Sequence, residues 1–326
     1  MVNRLELAKS IIEEQLRNRS GIVGAFVAGS VARGEATQAS DIDVALVVDE
    51  EYDTAGRENL DMWRQGIYIE FPLFPKKQYA DLEKVLRNSV TATHVNDALI
   101  LYDPEGFLTE LQKRVRAVFM EPKWVGVRVG NSIDYARQAL SAWGDAFVAG
   151  DLGSVCEHAG TVMMGYVSAC LLGIGVTPSG TRSLEQLGND FGELKEKICD
   201  LEVATRMTPE DMTAANSIFL KCVPLVPPHM SHLAEDTVKK LAWMATHGLH
   251  REAMHTLWVC IGRIVTICRK RDDAAVVEGA LAVGREWLRT VGWVGKTVLL
   301  DKLETGRAIF KEVVTSAADL LQARNT

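Results

Sequence analysis

The chain has 326 residues, 47% of them hydrophobic and 24% charged, and a formal net charge of −7 at pH 7. That length allows two domains, because single cores stop growing at about 250–300 residues. The acidic balance argues against a protein built to coat nucleic acid or an anionic membrane, and it suits a cationic small substrate.

No apolar run reaches the roughly 18 residues that span a bilayer. The opening MVNRLELAKSIIEEQL carries acids at amphipathic spacing and does not read as a signal peptide. The six cysteines are scattered without a CxxC, as expected of buried thiols in a reducing compartment. These features predict a cytoplasmic protein.

Leu5, Ala8, Ile11, Ile12 and Leu16 recur at helical spacing, and Gly21 marks a stop. Ile22 to Ala28 reads as a buried strand. Asp41 to Val48 alternates and then turns wholly apolar, as a central strand entering the core does. Leu60–Arg64 and Ile67–Phe74 flank Gln65-Gly66, a hairpin signal that sends Ile67, Ile69 and Phe71 one way and Tyr68 and Glu70 the other. Pro75 opens a predicted helix to about Arg87, Ala98–Tyr102 is a further strand, and Pro104 starts a helix to about Met120. This order predicts a small α/β layer domain with a mixed sheet over residues 1–121.

From Pro122 the strand signals vanish, and residues 122–326 read as an all-helical bundle, giving an α+β chain overall. Asp151 can cap an apolar helix to about Leu172, and Ser183 with Gln186 reads as a capping box. Pro224, Pro227 and Pro228 suggest a subdivision near 224–229. Helices follow over about 230–246, 249–270 and 272–292, with a last one ending near Arg324.

The stretch 29–43, GSVARGEATQASDID, joins the first two strands. Gly29 permits close backbone approach, and Ser30 offers an N–H and a hydroxyl to a phosphate. Arg33 adds planar donors for phosphate oxygens, and Ser40 can orient the approach to the acids. Asp41 and Asp43, at i and i+2, point to one face of a strand. Glu70, on the polar face of a neighbouring strand, is the candidate third carboxylate. Oxygen ligands beside a phosphate cradle suit Mg²⁺ and a nucleoside triphosphate, hence nucleotidyl transfer. Taken singly, a Gly-Ser turn or an Asp-x-Asp is more often plain surface. Together, acids at the mouth of an apolar strand are costly unless paired or metal-bound.

Gly-Ser, ten residues, then Asp-x-Asp resembles the signature of the DNA polymerase β-like nucleotidyltransferase superfamily. IYIEF is similar to the strand that carries that superfamily's third carboxylate. LILYDPEGFLTELQKRV, IDYARQA and the apolar segment 155–172 resemble parts of the kanamycin-type aminoglycoside nucleotidyltransferases. The resemblance implies that Gly29, Ser30 and Arg33 hold ATP, that Asp41, Asp43 and Glu70 hold Mg²⁺, and that Asp134 is the general base. Asp134 stands where that family has a glutamate, and Gln138, with Arg137 beside it, where that family has a lysine. The resemblance further implies AMP transfer to a hydroxyl of a small, aminoglycoside-like molecule by a homodimer. The alternatives are a protein-modifying antitoxin-type transferase and a non-catalytic nucleotide-binding module.

His229, His232, His247, His250 and His255 cluster in sequence, but no HExxH or CxxC supports a metal site. The tryptophans of the helical region read as core. Lys239-Lys240 and Arg269-Lys270-Arg271 are too short for a nucleic-acid surface.

Overall fold

The computed structural model describes residues 3–49, 60–188, 190–227 and 230–325. The chain divides into two compact units, residues 1–128 and 129–326. The former holds a mixed sheet and the latter is helical, an α+β arrangement as expected.

The first unit starts with α1 (Arg4–Asn18), capped by Asn3, whose side chain accepts from the Leu5 and Glu6 amides. There follow β1 (Ile22–Val27), the single turn α2 (Gly29–Ala32), β2 (Ile42–Val48), β3 (Met62–Arg64), β4 (Ile67–Glu70) and β5 (Leu73–Pro75). Then come α3 (Leu82–Arg87), α4 (Ser89–Asp97), β6 (Leu99–Tyr102) and α5 (Phe107–Val118). The sheet runs β3-β4-β2-β1-β6, with β5 also on β2. β2 lies antiparallel to β1 and parallel to β4 and β5.

Gln65 and Gly66 both have positive φ, 52° and 73°, the backbone that a tight two-residue hairpin turn demands. β4 and β5 read as one strand in the sequence, but Pro72 interrupts them because it has no N–H for the ladder. At the break Asp61 Oδ1 accepts from the Phe71 amide (2.7 Å), and the Pro72 carbonyl accepts from Leu46 N (3.1 Å).

Strand alternation divides the core. Ile42, Val44, Leu46 and Val48 join Ala8, Ile11 and Ile12 of α1 and Ile67, Ile69 and Phe71 on one face. Ala45 and Val47 join Val85, Leu86, Val95, Leu108 and Leu111 of α3–α5 on the other.

Two helix expectations in this unit are corrected. The segment after Pro75 is a 3₁₀ turn, then α3 capped by Asp81, then α4 capped by Asn88, which the sequence reading missed. Pro104 does not start α5. Asp103 does, by accepting from the amides of Leu108 (3.1 Å) and Thr109 (2.8 Å), and Gly106 turns the chain at φ 72°. The Thr109 hydroxyl and these amides hold the Asp103 carboxyl below its usual range, outweighing burial, which pushes the other way.

The division between the units falls within α6 (Pro122–Ala149). The second unit continues with α7 (Leu152–Ile174), α8 (Ser183–Leu187), α9 (Gly192–Leu201), α10 (Pro209–Cys222), α11 (Ser231–Thr246), α12 (His250–Arg269), α13 (Ala274–Thr290) and α14 (Lys296–Asn325). Asp151 caps α7 and Gly175 ends it in the left-handed conformation. Contrary to the sequence reading, α7 is long and apolar enough to cross a membrane. Yet 72% of that window is buried inside the unit, so it serves here as the bundle's central helix. At Gly160 an added Cβ would lie 2.4 Å from the Trp258 carbonyl, so glycine lets α12 pack backbone-close on α7. Trp143 stacks on Trp293 at 5.4 Å, and Trp258 meets Trp287 edge-on at 5.5 Å, so these tryptophans are core.

One further expectation fails. Ser183 is not a cap: Arg182 holds that position, and Gln186 instead accepts from Ser179 N (2.7 Å) and donates to the Thr177 carbonyl (3.1 Å). The capping box belongs to Thr208 and Asp211. The proline-rich segment forms a 3₁₀ turn at Val223–Leu225 within the helical unit. Residues 228 and 229 lie outside the described residues.

Two buried acids meet around α12, Glu252 on it and Glu202 at the end of α9. Glu252, 4% exposed, accepts from the amides of Leu184 (3.3 Å) and Glu185. Burial pushes its carboxyl up to about 7, against the pull of His255 and the two amides. Glu202 is fully enclosed and pairs with Nδ1 of His255, while its carbonyl accepts from Trp258 Nε1 at 3.1 Å. Burial disfavours charge on His255, but Glu202 outweighs it and raises the imidazole above its ordinary value.

A raised acid pKa means that the native state keeps a proton the unfolded chain has released. Stability from Glu252 is therefore complete below its ordinary value of 4.5 and lost as pH rises through about 7. Chemical denaturation from pH 4.5 to 8 should show wild type losing up to about 3 kcal/mol relative to Glu252→Gln. Parallel curves for the two proteins would contradict this assignment.

Candidate active site

The site is built where β1 hands over to α2 beside the start of β2. Ala28 N donates to the Asp43 carbonyl at 2.9 Å, tying the end of β1 to the acidic end of β2. The chain then turns at Gly29, with φ +66°. A Cβ placed there would lie 1.9 Å from Asp43 Oδ2, so the Asp43 carboxylate rests directly against the Gly29 α-carbon. Any side chain at 29 would be strained and would displace that carboxylate.

Asp43 has the same parity along β2 as Ala45 and Val47, so it extends their row past the end of the apolar cluster. Asp41 precedes it by two residues, at the entry to the strand. In the parallel pairing of β2 with β4, Asp43 stands opposite Glu70. Glu70 lies off the face of Ile67 and Ile69, which belong to the α1 side of the core. Register thus brings Asp43 and Glu70 together, and all three acids are half-buried.

Among the described residues no three His, Cys, Asp or Glu side chains form a ready-made metal cage. Mg²⁺ takes a few carboxylates and completes its octahedron with substrate phosphates and water. The oxygen donors Asp41, Asp43 and Glu70 fit that ion, and the contact at Gly29 keeps Asp43 at the mouth of the turn.

Ser30 is half-buried on α2, and its carbonyl accepts from Glu35 N at 2.8 Å. Arg33 donates through Nε to Glu35 Oε2 (2.9 Å), and its Nη1 lies 3.5 Å from Asp97 Oδ2. Beside this pair, burial holds His94 below its ordinary value, with Asp97 opposing and Arg33 adding to the effect. The Ser40 hydroxyl works within the loop, accepting from Thr37 N at 2.9 Å.

Asp134 lies in the second unit on α6, its side chain 58% exposed and ion-paired with Arg137 one turn on. Asp134 and the three acids thus belong to different units. The histidines 232, 247, 250 and 255 form no metal site among the described residues, and His229 lies outside them.

Arg4 escaped the sequence reading. It is 8% exposed, and it clamps the loop that delivers Asp41, donating through Nε to the Ser40 carbonyl (3.1 Å) and through Nη2 to that of Gln38 (2.8 Å). Burial lowers its pKa, and the nearby Asp41 charge offsets part of that cost. The available signal was its spacing: Arg4 shares the inward stripe of α1 with Ala8, Ile11 and Gln15.

Residues 9–135 match the profile of the nucleotidyltransferase domain family. The match falls largely on the N-terminal unit. The match supports an enzyme of nucleotidyl transfer, and such domains generally use a nucleoside triphosphate with a divalent metal. The chain is also similar to a nucleotidyltransferase-like protein of known crystal structure from Exiguobacterium sibiricum. That protein is 13% identical, the match covers 88% of this chain and 89% of the other, and the TM-score is 0.36. No curated protein sequence matches the chain.

Arg4→Lys keeps the charge but cannot bridge both carbonyls. It should cost about 1–3 kcal/mol in urea unfolding and raise the divalent-metal concentration for half-maximal activity. An unchanged metal requirement would make Arg4 structural only. Gly29→Ala should lose about 1–2 kcal/mol from the left-handed backbone alone, and should lose nucleotidyl transfer even at saturating metal. Retained activity would contradict the Gly29–Asp43 contact.

Proposed function

We propose that the nucleotidyltransferase domain transfers AMP from ATP to a hydroxyl of a small molecule, with Mg²⁺ held by Asp41, Asp43 and Glu70. One observation carries this reading: the β2–β4 register sets Asp43 opposite Glu70 while its carboxylate rests on the Gly29 turn. Charge for a metal and a close-approach backbone for a phosphate therefore meet at one point.

In this mechanism the Gly29–Ser30 turn binds the triphosphate through the Ser30 N–H and hydroxyl. Arg33, anchored by Glu35 and Asp97, turns its remaining N–H groups to phosphate oxygens. Arg4 and Ser40 hold the 37–41 loop so that Asp41 stays aligned with Asp43. When bound, Mg²⁺ supplies charge stabilisation to the triphosphate and the departing pyrophosphate. Asp134 is proposed to take the proton of the attacking hydroxyl, with Arg137 holding its carboxylate. The hydroxyl oxygen bonds to the α-phosphorus in line with the leaving group, the bond to the bridging oxygen breaks, and pyrophosphate departs. The aminoglycoside-like acceptor, the homodimer and the cytoplasmic setting rest on the resemblance of the motif and on composition.

The test is pyrophosphate release from each nucleoside triphosphate against a panel of hydroxyl acceptors, aminoglycosides included. Asp41→Asn and Asp43→Asn should each reduce release by about 10²–10³-fold. Asp134→Asn should lower kcat while leaving nucleotide affinity intact. If both N-terminal variants match wild type, the metal assignment is wrong.

A further inference from the structure

The helical unit holds a cavity of about 170 Å³ that the nucleotidyl-transfer reading does not use, lined from α10, α11, α12 and the segment before α8. Phe219, Val226, Met230, Ala234, Ile264 and Ile267 form its apolar walls. The Gly180 backbone, the hydroxyls of Thr181, Thr237 and Thr256 and the Cys260 thiol are its neutral polar points. Two cations complete the lining, Lys240 of α11 and Arg263 of α12, and among the described residues no carboxylate does.

The charges do not cancel. Asp236 Oδ2 accepts from Lys240 Nζ at 2.6 Å one turn away, and that carboxylate is fully enclosed, so the pair holds the ammonium in place. Arg263 is exposed and has no ion pair among the described residues. A guanidinium keeps its charge at every pH a folded protein meets. The cavity is therefore left with one positive charge in excess. Burial pushes the Cys260 thiol up, while Arg263 and Lys240 oppose that rise, so both cations stand near the same point of the wall.

We propose that this cavity binds a small amphipathic monocarboxylate, its carboxylate on Arg263 beside Lys240 and its hydrocarbon body against Phe219, Val226 and Ile264. One excess positive charge matches a monoanion, and the planar guanidinium fork matches the two oxygens of a carboxylate. A cavity of about 150 Å³ already admits benzene, which sets the ligand at about six carbons. The site lies in the helical unit and stands independently of the reaction proposed for the first unit.

Calorimetry on the full chain at pH 7 tests it with hexanoate, acetate and hexylammonium as probes. Wild type should bind hexanoate saturably. It should bind acetate, which lacks the hydrocarbon, and hexylammonium, which reverses the charge, at least about tenfold more weakly. Arg263→Gln should weaken hexanoate by about tenfold and leave hexylammonium no weaker. Thr181→Trp, which narrows the space from its half-buried wall, should abolish hexanoate binding. The proposal is overturned if hexanoate fails to saturate wild type, if either other probe binds as tightly, if Arg263→Gln binds hexanoate as wild type does, or if that binding survives Thr181→Trp. Arg263 is exposed, so its variant keeps the fold and decides even where Thr181→Trp does not fold.

Discussion

One contact organises the N-terminal unit: the Asp43 carboxylate lying on the bare α-carbon of Gly29. It exists because β1 and β2 are antiparallel neighbours, with Ala28 bonded to the Asp43 carbonyl as the chain leaves the sheet. A left-handed turn without a side chain is the one backbone that admits an acid at that distance. The spacing between Gly-Ser and Asp-x-Asp is thus a geometric requirement. The intervening residues must leave the sheet, turn back through the Thr37–Ser40 loop and re-enter it beside their point of departure.

The same arrangement sets where charge can be tolerated. On β2 the α1-facing side stays apolar from Ile42 to Val48, while the opposite side changes from Val47 and Ala45 to Asp43. The acids sit where the apolar cover ends, so they are half-buried. Arg4 pins the outer loop from the α1 side, its guanidinium spanning two carbonyls. Remove the clamp and Asp41 loses its fixed approach, though the sheet itself remains.

Much of this was readable beforehand because it depended on local rules. Gln65-Gly66 turned as its residue types required, Asp151 capped the helix it precedes, and the helices from Ser231 to Asn325 followed their periodicity. Several misses reflect competition from partners distant in sequence. Ser183 lost the cap because Glu252, far along the chain, takes the amides of Leu184 and Glu185. The strand through Phe71 broke at Pro72, and the Phe71 amide turned to Asp61 instead. Arg4 escaped notice because its partners, the carbonyls of Gln38 and Ser40, lie far along the chain. The apolar α7 met the composition of a membrane span, yet its neighbours, drawn close at Gly160, cover it.

The central claim is that the acidic end of β2 holds a metal against the Gly29 turn. A crystal grown with Mn²⁺ and a non-hydrolysable nucleoside triphosphate tests it most directly. The account predicts an anomalous peak about 2.0–2.3 Å from oxygens of Asp41 and Asp43, with a phosphate oxygen in the same coordination sphere and the phosphates against Gly29 and Ser30. A metal and triphosphate bound elsewhere in the chain, with Asp41 and Asp43 touching neither, would contradict it.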